Sequence, residues 1–173
     1  MTNTVEPRAL RFSDDGMIPN NPKLPMLVYA QAFDLDSEPD PAAVFEQTFK
    51  RNRWGNSWRN GIFPYVHYHS AIHEVLGIAQ GHARVRFGGN QGVELNLKAG
   101  DVAVLPAGTG HHRLSASPDL LVVGAYPPDG EYDLCRGSAE ELRAARISIP
   151  RVPIPDYDPL GGKGGALPRL WRA

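Results

Sequence analysis

Between residues 62 and 126 the apolar residues fall into short runs separated by turn formers. The runs lie at about 62–69, 73–79, 82–87, 93–97, 101–105, 111–116 and 120–126. Gly81, Gly88-Gly89, Gly92, Ala99-Gly100, Gly108-Thr109-Gly110 and Pro118-Asp119 punctuate them. Short strands with turns this frequent predict a sandwich or barrel. Within 82–87, Ala83, Val85 and Phe87 alternate with His82, Arg84 and Arg86. That period of two predicts a half-buried strand whose basic side is solvated.

Upstream, "MLVYAQAF" (26–33) reads as a strand and "DPAAVFEQTFKRN" (40–52) as a helix. Asp40 is placed to cap that helix and Pro41 suits its first position. Val44, Phe45, Thr48 and Phe49 give it one apolar stripe. A second helix is expected at about 139–146, with Ser138 and Glu141 as a capping box. Residues 1–25, rich in Pro, Asn and Asp, read as an extended arm. "RWGNSWRNG" (53–61) reads as a loop whose Trp54 and Trp58 pack on the first helix, or else form a lid over the barrel mouth. From Pro150 onward the Pro- and Gly-rich tail predicts no regular element, only disorder or a wrap over a neighbouring surface. There is no internal repeat and no sign of a second domain.

Composition narrows the function classes. Hydrophobic residues make up 42% and charged residues 21% of 173, which suits one soluble globular domain. Lys plus Arg number 18 against 19 Asp plus Glu, so bulk charge draws the chain to neither nucleic acid nor an anionic membrane. No basic run or helix-turn-helix segment suggests a one-chain transcription regulator. No stretch approaches the roughly 20 apolar residues of a membrane helix, and the N-terminus lacks the pattern of a secretory signal. Cys135, the single cysteine, has no internal disulfide partner and no activating pattern around it. A passive thiol and a cytoplasmic location are expected.

The chemistry concentrates in "HYHSAIHEVLG", residues 67–77. Side chains alternate across a strand, so His67 and His69 share a face with Cα atoms roughly 6.6–6.8 Å apart. Two such imidazoles can converge on one ion, although an HxH pair alone is commonplace on surface strands. The third donor is open between His73 and Glu74. If the chain turns at Ser70-Ala71, Glu74 shares a face with Leu76 and Ile78, and a bulky apolar face belongs inside. This alternation favours Glu74. In "GDVAVLPAGTGHHRL" one of His111 and His112 can face inward, and geometry does not choose between them.

The spacing carries a resemblance. Gly61, His67, His69, Glu74 and Gly81 stand in one motif, with Gly100, Pro106, Gly108 and His111 in a second. Together they resemble the two signature motifs of the cupin superfamily, and the longer context is similar to the YjlB-type single-domain cupins. The second motif usually ends in Asn, where this chain has Ser115. The resemblance implies an all-β fold, a cupin-type double-stranded β-helix (jelly-roll barrel) with one or two short peripheral helices. Residues 61–127 would form the barrel core. Residues 1–60 would supply an arm, strand and helix packed on it, and 128–173 a helix and tail. It further implies that His67, His69, Glu74 and His111 ligate one divalent transition metal ion (Fe, Mn, Ni, Co or Zn). It implies a homodimer formed through sheet edges and terminal arms.

Three imidazoles and a carboxylate leave positions open on an octahedral ion, which supports metal-assisted catalysis. The leading expectation is an enzyme acting on a small polar or carbonyl-containing molecule, of dioxygenase type first and isomerase type next. A non-catalytic binding, storage or sensor cupin is the alternative, and a purely structural metal is a third. Phe63 and Tyr65 precede His67 on its face, and Arg113 shares the face of His111. Tyr65 could donate a hydrogen bond to substrate or simply fill the barrel. Arg113 could bind a substrate carboxylate or phosphate, or pair with an internal acid. Val102 and Val104 are expected as apolar wall, with His73 and His112 turned away from the metal.

Overall fold

A computed structural model of the chain describes residues 5–173, so residues 1–4 of the expected arm lie outside the described residues. The elements run β1 (Arg8–Leu10), β2 (Met26–Tyr29), α1 (Pro41–Arg51), β3 (Gly55–Asn60), β4 (Glu74–Gln80), β5 (His82–Phe87), β6 (Val93–Lys98), β7 (Val102–Leu105), β8 (His111–Ala116), β9 (Leu121–Tyr126), α2 (Ala139–Ser148) and α3 (Ala166–Trp171). The strands form two antiparallel sheets, ordered β1-β2-β7-β4-β9-β3 and β6-β5-β8. The two sheets enclose one core, as a double-stranded β-helix requires. Leu76 and Ile78 of β4, Ala103 and Leu105 of β7 and Val122 of β9 meet Ala83, Val85 and Phe87 of β5 and Leu97 of β6.

The larger sheet is buried on its outer face as well. There Val75, Ala79, Val102, Val104, Val123 and Ala125 pack against Phe45 and Phe49 of α1. Two-sided burial explains why β4 and β7 read as nearly continuous apolar runs. Val102 and Val104, expected to wall the cavity, belong to this outer face. Register is the reason: they lie opposite Gly77 and Val75, and directly opposed residues share a face. Gly77 makes the fit to α1 possible, since a Cβ there would stand 2.3 Å from the Phe45 ring.

Both predicted helices form with their caps. Asp40 accepts from the Ala43 N–H with Pro41 in the first turn, and Ser138 and Glu141 form a reciprocal capping box. Other expectations need correction. The run at 62–69 makes only the isolated bridges His67↔His111 and Tyr68↔Cys135, because Pro64 offers no N–H for a ladder. "RWGNSWRNG" is no loop: most of it is edge strand β3, paired to β9 with an irregularity between Gly55 and Trp58. Trp54 does pack with Phe45 and Phe49. Trp58 instead lies on the inner face over Gly124, where a Cβ would come within 2.1 Å of its indole.

The tail is also ordered, ending in α3. Leu167 and Trp171, four residues apart, share one helix face and join the outer core. Trp171 Nε1 donates to the Pro25 carbonyl at 2.9 Å. The buried carboxylate of Asp158 gathers the glycine-rich approach, accepting from the N–H groups of Leu160, Gly161 and Leu167 and from the Tyr29 hydroxyl. The arm folds back likewise: β1 pairs with β2, and the Asn20 side chain bridges Gly88 O and Gly110 N. Among the described residues no helix is long and apolar enough to cross a membrane.

Candidate metal centre

The backbone brings the motif histidines together before their side chains do. His67 and His111 exchange two hydrogen bonds, N–H to O at 3.1 Å one way and 2.9 Å the other. Directly paired residues project side chains to one side, so their rings stand 3.9 Å apart, centroid to centroid. His69 follows His67 on the same side, and its carbonyl accepts from the Gly108 N–H. The ligand nitrogens of His67, His69 and His111 all lie within 4.8 Å of one another, and all three residues are buried. Such a group could hold a metal ion.

Glu74 opens β4 and faces inward with Leu76 and Ile78, as the alternation predicts. Its Oε2 lies 3.2 Å from His69 Nε2 and 3.4 Å from His111 Nε2. It thus stands against two members of the histidine group. Each ring is fixed from behind by a backbone carbonyl. Nδ1 of His67 meets Tyr65 O at 3.0 Å, that of His111 meets Thr109 O at 3.0 Å, and that of His69 meets Asp133 O. A carbonyl can only accept, so Nδ1 carries the proton and the Nε2 lone pair of the neutral ring is bare. Glu74 Oε2 is buried without a hydrogen-bond partner. Ring nitrogens and a carboxylate oxygen are thus turned toward one another, an arrangement a cation would satisfy. Carbonyl partners behind ligating histidines are the usual support of such sites.

Electrostatics treat the rings differently. Burial, then His111, holds His67 down to about 3, so it stays neutral. Burial works against charging His69, but the Glu74 carboxylate outweighs it and raises the pKa, so without an ion a proton on Nε2 is favoured there, facing Glu74. Burial likewise pushes Glu74 up, and the two histidines beside it more than reverse this, leaving its pKa lowered. The carboxylate is thus ionised in a buried pocket.

Asp133 braces the His69 segment. Its carbonyl holds the His69 ring, while its carboxylate accepts from Ser70 N, Ser70 Oγ and Ala71 N. Cys135 Sγ also reaches it, at 3.3 Å. Burial, then Asp133, pushes the Cys135 thiol up to about 12. This is a passive thiol, as expected.

The cluster forms one end of a cavity of about 510 Å³, lined also by Trp58, Asn60, Phe63, Arg113, Tyr126 and Tyr132. Arg113 faces it as predicted, but it has no internal acid: among the described residues no ion pair reaches its guanidinium. Tyr65 stands outside the lining. Its ring stacks on Phe63 at 4.9 Å, and the Arg136 guanidinium covers it at 3.6 Å. What Tyr65 gives the centre is its carbonyl. His73 points away from the cluster, fully buried, and joins Ala107 N to Pro153 O. His112 lies opposite Arg86 on the outer face of β8.

Sequence reasoning missed Tyr126 and Tyr132 as wall, and gave Trp58 a place at the mouth only as the second of two alternatives. Tyr126 had a signal, since it shares the parity of Val122, which faces inward. Tyr132 lies in irregular chain and had none. Trp58 Nε1 donates to the Tyr126 hydroxyl at 2.9 Å, and the Tyr132 ring packs 5.0 Å from His69.

No family model matches the chain. Protein YjlB of Bacillus subtilis strain 168 is 41% identical over 160 residues, covering 92% of this chain and 93% of that one. Among solved structures, acireductone dioxygenase from Bacillus anthracis, with a cadmium ion in its active centre, is 16% identical over 61% of this chain and 80% of its own, with a TM-score of 0.42. A double-stranded β-helix protein from Klebsiella pneumoniae is 15% identical over 80% of this chain and 90% of its own, with a TM-score of 0.38. Likenesses this weak bear on no residue and no reaction. The likeness to YjlB is of another order, running through nearly the whole of both sequences, and with the motif residues gathered inside a double-stranded β-helix it makes this chain a member of the YjlB-type cupins.

Proposed function

We propose that His67, His69, Glu74 and His111 hold one divalent transition metal ion. On this reading the chain is a metal-dependent enzyme acting on a small polar or carbonyl-containing molecule, of dioxygenase type first and isomerase type second. The observation that carries it is the convergence of three buried ring nitrogens within 4.8 Å of one another beside the buried Oε2 of Glu74, with each Nδ1 held by a backbone carbonyl. Three imidazoles and one carboxylate suit Fe(II), Mn(II), Ni(II), Co(II) or Zn(II). Such an ion would polarise a carbonyl, lower the pKa of bound water or, as iron, engage dioxygen.

The chain's own contribution is to hold the donors and shape the space. The carbonyls of Tyr65, Thr109 and Asp133 fix the three rings. Trp58, Phe63, Tyr126 and Tyr132 wall the cavity. An isomerase would need a base beside the substrate. Among the described lining residues no carboxylate or imidazole stands outside the cluster. Burial, then Glu74, raises the pKa of both Tyr126 and Tyr132, so each keeps its proton at neutral pH. No lining side chain outside the cluster is thus a base, which is why the isomerase type stands second. A cytoplasmic homodimer that binds small molecules, with no nucleic-acid or membrane partner, completes the proposal. Light scattering on the purified protein tests the assembly.

Elemental analysis of tag-free wild type and His111→Ala tests the centre. Near-stoichiometric metal in the wild type, lost in the variant, is expected. No metal in either after reconstitution would move the reading to a non-catalytic binding cupin. Oxygen consumption by the iron-loaded protein then separates the two reaction types, since an isomerase works without oxygen.

A further inference from the structure

The cavity has two charged lining side chains, Glu74 and Arg113, and only Glu74 has company. Arg59, Arg86, Arg146, Arg169 and Arg172 each meet a carboxylate. Arg53 and Arg136 each lie over a tyrosine ring. Arg113 does neither; Arg8, Arg51, Arg143 and Arg151 share that state but are exposed, whereas Arg113 is half-buried. Its direction is fixed by register. Val85 and Phe87, both core residues, lie opposite Arg113 and His111 respectively. Arg113 therefore shares the inner face with His111, one step of roughly 6.6–6.8 Å further along the strand. Its guanidinium passes Gly61, where even a Cβ would clear Nη1 by 4.0 Å.

We propose that the cavity takes a small organic carboxylate and that Arg113 receives the carboxylate. The proposal rests on the metal-centre reading only for the added positive charge of the cavity. A guanidinium offers paired N–H donors in a fixed fork that matches a carboxylate. A partly desolvated cation with no internal partner is satisfied by an anion brought in with the ligand. A divalent ion among the donors would leave the fixed charge of the cavity positive, reinforcing the preference. Much of the remaining wall is aromatic, supplied by Trp58, Phe63, Tyr126 and Tyr132, so it favours a flat or apolar body. The volume of about 510 Å³ falls within the usual range for small-ligand sites. A phosphate ester is disfavoured: its greater charge calls for further donors or a helix N-terminus, and the described lining supplies one cation and no helix.

The test is calorimetric titration of zinc-loaded, tag-free protein with benzoate, phenylpyruvate, benzamide and phenyl phosphate, repeated on Arg113→Gln and Arg113→Lys. At least one carboxylate should bind about tenfold or more tighter than benzamide, the scale of a charge-assisted pair. Arg113→Gln should erase the difference with zinc content unchanged, and Arg113→Lys should keep part of it. Equal binding of benzamide, tighter binding of phenyl phosphate, a preference that survives Arg113→Gln, or no carboxylate binding at about 10 mM would each overturn the proposal. Zinc content reports separately on the metal reading. An Arg113-dependent preference in protein that takes up no zinc would uphold this proposal while sinking that one.

Discussion

His73→Leu separates the two histidine roles that sequence spacing left open. The ring has no exposure. Its Nδ1 accepts from the Ala107 N–H at 2.8 Å, so its Nε2–H donates to the Pro153 carbonyl at 3.1 Å. Leucine fills similar space but leaves both backbone groups buried without partners. Each such group costs about 1–3 kcal/mol, so the variant should lose about 2–6 kcal/mol at pH 7.5. The pH dependence sharpens this. Burial holds His73 at about 4, against 6.5 for a free ring. The folded value lies below the unfolded one, so the unfolded chain takes up a proton first as pH falls. Stability from the neutral ring is complete above 6.5 and drains away toward 4. Between pH 7.5 and pH 5 the wild type should lose about 2 kcal/mol that the variant does not. Urea unfolding of both chelator-treated proteins at the two pH values measures the gap, which should narrow by that amount. A gap independent of pH would refute the buried neutral ring. Loss of metal in the variant, with metal retained by His67→Ala, would refute the assignment of donors.

Gly77→Ala should cost about 1–3 kcal/mol by overpacking, because the new methyl meets the Phe45 ring at 2.3 Å; a thermal melt checks it, and an unchanged midpoint would mean α1 is free to shift. Asp133→Ala releases the Ser70-Ala71 turn but keeps the carbonyl behind His69, so zinc binding should weaken by about 10-fold, the low end of the usual cost of losing support around a ligand; competition with a chromogenic chelator reads it. Cys135 forms thiolate only as pH rises toward about 12. Iodoacetamide at pH 8 should therefore label the folded protein at least tenfold more slowly than the urea-unfolded chain, and equal rates would contradict a buried, proton-holding thiol.

The strand series from 73 to 126 was legible because each run was short and bounded by residues that turn the chain. Glu74 was legible for the same reason, since Leu76 and Ile78 could only point inward. Alternation failed where a strand is buried on both faces. In "VAVL" no polar partner marks which side is which, so alternation alone does not reveal that register with β4 turns Val102 and Val104 out. It failed again where one inward residue sits on an otherwise polar edge strand: Trp58 in "GNSWRN" shows no period. The tail was illegible because its order comes from a distant partner. Nothing in "GGKGGALPRLW" announces that Asp158, joined by the Tyr29 hydroxyl, will collect its N–H groups.

The sheet order has a consequence for how such a protein diverges. Glu74 sits on β4, fenced by β7 and β9 and buried on both faces, where nearly any substitution disturbs a core. Trp58 sits on β3, the outermost strand, paired on one side only and broken by an irregular register. Edge segments of this kind open at lower free energy and tolerate change. Donor and wall are thus carried on strands under unequal constraint. Relatives can trade the shape of the mouth, and with it the molecule admitted, while leaving the carboxylate beneath it untouched.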